Sequence, residues 1–159
     1  MTIMNDETSS VVDLLNSLIE LEYDALEAYK AAITRVDVFG DRSQLARFMQ
    51  DHQRHIDDLT ALVQAHGAEP AKEGDFKQIL TKGKVVLSGL VGDKLVLGAM
   101  KTNEDDTNTA YEQALNHPGL TVEVRQVLEQ NLADERRHRA WIERRLCEAE
   151  GAVTMKKAG

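Results

Sequence analysis

The sequence predicts an all-α fold, a four-helix bundle of two helical hairpins joined by a long, partly helical crossover. Three observations carry this. The chain of 159 residues has only two prolines, and Ala, Leu, Glu, Gln and Arg are plentiful, a composition that favours helix over sheet. Apolar residues recur at alternating spacings of three and four in four long stretches, each tracing one helix face. The two halves of the chain also repeat the same polar residues at the same intervals.

The first helix is expected from about Ser10 to about Val36, with Ser9 or Ser10 as its cap. Its inner face is Val11, Leu15, Leu18, Glu22, Ala25, Tyr29, Ala32 and Val36, with Glu22 as the charged exception. "VFGDRS" interrupts the pattern, and Asp41 or Ser43 can start a second helix. That helix presents Leu45, Phe48, His52, His55, Leu59 and Leu62 and stops near Gly67 and Pro70. Residues 71–92 are less regular. A shorter helix is expected from about Phe76 to Leu90, with a break at "VGD". A third long helix starts near Asp93, with Leu97, Met100, Glu104, Thr107, Tyr111 and Ala114 on its face. "NHPGL" is a turn. The last helix, about Thr121 to Ala149, presents Val124, Leu128, Asn131, Glu135, His138, Ile142 and Leu146. The expected organisation is a flexible terminus over 1–9, one domain over 10–149 and a fraying tail over 150–159.

The repeat gives the polar exceptions a meaning. Glu22 and Tyr29 are matched by Glu104 and Tyr111, 82 residues on in each case (22 to 104, 29 to 111). His52-x-x-His55 is matched by Glu135-x-x-His138, 83 residues on (52 to 135, 55 to 138). A helix of about 25 residues is roughly 37 Å long. A mostly helical crossover of some two dozen residues can return over that length and set the second hairpin upside down against the first. Glu22, His52, His55, Glu104, Glu135 and His138 then meet at one level of the core. Residues three apart on a helix lie on the same side. Buried carboxylates are costly unless compensated, and a cation shared among three carboxylates and three imidazoles relieves that cost. Imidazole with carboxylate suits iron, manganese or zinc. A hydrogen-bonded polar network without metal is the alternative.

One Glu from each of two helices, with Glu-x-x-His from each of the others, resembles the di-metal carboxylate pattern of the ferritin-like superfamily. Glu22, Glu104 and "ERRH" (135–138) follow it, and the tyrosines seven residues after each single Glu are similar to those of its members. The run "TNEDDTNTAYEQAL", the "HGAEP" helix end and the crossover resemble an uncharacterised bacterial family of ferritin-like four-helix bundles, over about residues 10–149. The resemblance implies the fold, with Tyr29 and Tyr111 lying behind the ligands. It implies little about activity. His52 departs from the pattern, standing where a Glu is expected. Four carboxylates would balance two divalent ions, and three do not. A neutral imidazole has one available lone pair and cannot bridge as a carboxylate does. A single ion, or one tight and one weak position, is therefore expected in place of a symmetric pair. Asp51 lies about 100° around the helix from His52 and is expected outside the site. His66 and His117, at helix ends, receive no ligand role.

The remaining features exclude more than they assign. A net charge of −8 argues against nucleic acid, since phosphate contacts need basic patches. "ERRHRAWIERR" alternates its charges and reads as a solvated helix face. No apolar run approaches the roughly 20 residues of a membrane span. No signal peptide is visible, and a cytoplasmic protein is expected. Cys147 is the only cysteine, so no intrachain disulfide forms. No catalytic residue and no organic cofactor are assigned, and a homodimer is the expected assembly. Three functions remain in view: a protein holding one or two transition-metal ions, a di-iron oxidase or peroxidase with Tyr29 or Tyr111 as electron source, and a metal-free structural bundle.

Overall fold

The computed structural model describes residues 6–73, 87 and 89–158. Among these are four long helices and no strand: α1 Asp6–Ile33, α2 Phe39–Ala65, α3 Asp93–Ala114 and α4 Val122–Lys157. Most of the expected crossover helix over 76–90 lies outside the described residues. Leu87 is described, and it is buried among Val36, Val96 and Met100. Among the described residues, no helix is long and apolar enough to cross a membrane.

The hairpins α1–α2 and α3–α4 pack into a four-helix bundle, and the second is inverted against the first. At one end the Asp93 carboxylate, opening α3, accepts the backbone N–H groups of Asp37 (2.8 Å) and Val38 (3.1 Å), just past α1. At the other end Ser10 of α1 bonds His117, just past α3, at 2.8 Å. Across the remaining seam, Arg145 in the second half of α4 makes two bonds of 2.9 Å to Asp41 in the first turn of α2.

The helix ends differ from expectation in instructive ways. Ser9 and Ser10 lie inside α1, which starts at Asp6, so neither caps it. Asp41 is not a cap either: α2 begins at Phe39 without a side-chain cap, and Asp41 is buried against Arg145. α4 continues beyond Ala149 to Lys157. At the close of α2, Gly67 takes φ 73°, its N–H reaches Gln64 O, and the Ala68 N–H reaches Val63 O. That bond pair is a Schellman stop and favours glycine at the left-handed position. Thr121 caps α4 by accepting the Val124 N–H at 3.2 Å.

Every residue assigned to the inner faces is buried except Leu146, which is partly so. The apolar core falls into two clusters. One, around Leu15, Leu59, Leu62 and Leu128, ends at Tyr111. The other, around Phe48, Met100 and Ile142, ends at Tyr29. Between the two tyrosines lies the layer of Glu and His.

Candidate metal centre

All six expected ligands have 0% exposure and converge in this layer as two overlapping groups. Glu22, His52, His55 and Glu135 each offer a donor atom within 4.8 Å of the others, and so do His52, Glu104, Glu135 and His138. His52 and Glu135 belong to both. The two groups are the two ends of one centre, related by the inversion of the hairpins.

The tyrosines cross between hairpins. Tyr29 of α1 donates to Glu104 of α3, and Tyr111 of α3 donates to Glu22 of α1 at 2.5 Å. Burial, and then the carboxylate each one faces, raises both phenols well above their ordinary range, so both remain donors. Thr107 donates to Glu135 Oε2 at 2.8 Å, and Asn131 donates to the Tyr111 oxygen at 3.3 Å.

Asp51 is in neither donor group, as expected, but it borders them. Its carboxylate accepts from His138 Nε2 at 3.0 Å, across the α2–α4 seam. Asp134 faces His55 Nε2 at 3.3 Å from the opposite helix. Arg54 and Arg137 each bridge both aspartates, with Arg54 at 2.9 Å and Arg137 at 2.8 Å from Asp51, and Arg137 at 2.7 Å from Asp134. This rim of two acids and two bases closes the layer on one side. It was present in the sequence as a longer repeat, Asp-x-x-Arg-His, in "DHQRH" (51–55) and "DERRH" (134–138). Such carboxylate–histidine pairs fix the ring orientation and tautomer of metal-binding histidines.

The electrostatics split the centre. Burial works against the Glu22 carboxylate, but His52 and then His55 outweigh it and hold Glu22 well below the usual range. Burial raises the Glu135 carboxyl, His52 pulls it down, and Glu22 and Glu104 push it up again, to about 7. Burial disfavours a charged His55, yet its bonds to Glu135 and Glu22 raise it to about 10. His52 is also raised, against burial, by Glu135 and Glu22. His138 goes the other way: burial lowers it, and Asp51 offsets this only in part.

Two buried atoms of the layer, Glu104 Oε2 and His138 Nδ1, have no hydrogen-bond partner, and His52 Nε2 has only a loose contact, 3.5 Å from Glu104 Oε1. Buried polar groups are rarely left so. The donor set of imidazole nitrogens and carboxylate oxygens fits a divalent transition metal, whose binding would satisfy them.

Residues 10–117 match a family described as a domain of unknown function, DUF2383. The chain belongs to the DUF2383 family. No curated protein and no solved structure matches it. The DUF2383 match spans Glu22, His52, His55 and Glu104, and ends before α4, which supplies Glu135 and His138.

Proposed function

We propose that this DUF2383 protein is a metal-binding bundle of the ferritin-like type, holding one or two transition-metal ions, iron or zinc foremost and manganese as a further candidate, in its core. The ligands are drawn from Glu22, His52, His55, Glu104, Glu135 and His138. The observation that carries the reading is the convergence of buried imidazole and carboxylate atoms within 4.8 Å of one another, with Glu104 Oε2 and His138 Nδ1 left unpartnered among them. A network held by hydrogen bonds alone would satisfy its members, because an unmet buried group costs about 1–3 kcal/mol. A bound metal would supply Lewis acidity, or redox chemistry if it is iron. The residues of the chain would hold it, orient it and keep water out.

The test is thermal unfolding of the full chain with and without metal. Added Zn²⁺, Fe²⁺ or Mn²⁺ is expected to raise Tm, and a chelator to reverse the rise. Free metal at one hundred times Kd adds about 2.7 kcal/mol. A Tm indifferent to all three ions contradicts the reading.

The tyrosine–carboxylate pairs favour a second reading, a redox protein of the oxidase or peroxidase class. Tyr29 and Tyr111 each donate a hydrogen bond to a candidate ligand, Glu104 and Glu22, and so sit where an electron could pass to the centre. Turnover with Fe²⁺ and peroxide, lost in Glu104→Ala, would support it. No turnover in the iron-loaded chain would eliminate it.

A further inference from the structure

The three histidines of the layer are not equivalent. His138 directs Nε2 to Asp51 at 3.0 Å and leaves Nδ1 without a partner inside the core. His52 directs Nδ1 to Glu22 at 2.7 Å and leaves Nε2 with only its loose contact to Glu104. Each ring is thus tied by one nitrogen to a carboxylate and offers the other inward, the arrangement a metal-binding imidazole requires. His55 differs. Its Nδ1 lies 3.2 Å from Glu22 and 3.0 Å from Glu135, and its Nε2 lies 3.3 Å from Asp134. Both nitrogens of His55 face carboxylate oxygens, so neither is free.

Two of the carboxylates, Glu22 and Glu104, divide the same way. Glu22 is engaged on both oxygens, by Tyr111 and His55 on Oε1 and by His52 on Oε2. Glu104 Oε2 has no partner and stands 3.8 Å from His138 Nδ1. Glu104 Oε1 stands 3.5 Å from His52 Nε2. Glu135 lies between the two halves: its Oε2 accepts from Thr107 at 2.8 Å and stands 4.0 Å from His138 Nδ1, and its Oε1 lies 3.0 Å from His55 Nδ1. Four ligands at about 2.1 Å around a tetrahedral ion are about 3.4 Å apart, and the four donor atoms lie within 4.8 Å of one another, so closing on an ion asks each pair to approach by up to about 1.4 Å.

From this geometry we propose that the centre is mononuclear, with one divalent cation held by His52 Nε2, Glu104, Glu135 and His138 Nδ1. Glu22, His55 and Tyr111 are a hydrogen-bonded lock that fills the other half and orients His52. The proposal rests on the reading that the core binds metal, and it says which half does so. One ion against Glu104 and Glu135 closes the charge there. A second would add two positive charges where Glu22 alone remains. The rim adds nothing to offset them, because Asp51 and Asp134 are each paired with Arg54 and Arg137. His52, which breaks the di-metal pattern, becomes a ligand in its own right.

The test is Co²⁺ titration of the metal-free full chain, followed by visible absorption and equilibrium dialysis. Saturation is expected at one equivalent, with the same stoichiometry in His55→Gln. His138→Gln and Glu104→Gln are expected to weaken binding at least 100-fold. Saturation at two equivalents, or a loss in His55→Gln equal to that in His138→Gln, overturns the mononuclear assignment while leaving metal binding intact. A wild-type chain that binds no Co²⁺ overturns the metal reading itself. If circular dichroism shows that a variant has not folded, the Co²⁺-loaded wild type decides by NMR. Contact-shifted ring protons on His52 and His138 support the assignment, and such shifts on His55 in place of either overturn it.

Discussion

Tyr29 and Asp51 each act on the centre through one hydrogen bond. Tyr29→Phe removes the donor to Glu104 and leaves a second oxygen of that carboxylate unmet. The metal-free protein is expected to lose about 1–3 kcal/mol, measured by urea unfolding. Asp51→Asn leaves His138 with a weaker acceptor, and metal affinity is expected to fall about 10–100-fold with helicity unchanged. Direct titration checks this, and unchanged affinity would show that Asp51 does not orient the ring. At this scale the sequence was read well for the six inward residues, because a charged or imidazole side chain on an apolar stripe stands out. Asp51 stands outside the donor groups, as that argument implies, but its bond to His138 is not legible from it. Its position, 100° around from His52, does leave the inner stripe of α2. It is also the position that reaches across to His138, and only the packing of α4 beside α2 reveals that. The hydrogen bonds that set the free nitrogen of each histidine likewise depend on neighbouring helices.

At the scale of the elements, periodicity predicted the helices closely, since the buried faces repeat at the helical interval throughout. Their ends were less legible. Gly67 was readable as a stop because a left-handed residue after a helix is nearly a glycine property. Replacing it with alanine at φ 73° is expected to cost about 1 kcal/mol, although no atom lies within 4 Å of the added Cβ. A thermal midpoint equal to the wild type would contradict that origin of the stop. The start of α1 and the role of Asp41 were missed for one reason. Ser and Asp near a helix start are cap candidates in sequence, but a tertiary partner can claim them first, as His117 claims Ser10 and Arg145 claims Asp41. The inversion of the second hairpin follows from the length of the crossover, and the repeat offsets place Glu22 and Glu104 at matching depth.

The described residues form two apolar clusters separated by a charged layer, and the stability of the fold should depend on what that layer holds. His55 is raised from 6.5 to about 10 in the folded chain. The folded state therefore binds the proton more tightly than the unfolded state does. The resulting stabilisation is fully present below about pH 6.5, declines above it and is lost as pH rises through about 10. Urea unfolding of the metal-free chain is expected to show that decline, and His55→Gln is expected to lessen it, leaving the part that His52 contributes in the same direction. An equal decline in the variant would place its origin elsewhere. The measurement that bears most directly on the account is elemental analysis of the full chain purified without chelators or a histidine tag. The account predicts a transition metal bound in stoichiometric amount, removable only with loss of thermal stability. A chain free of metal that neither binds nor responds to added iron, zinc or manganese would contradict it.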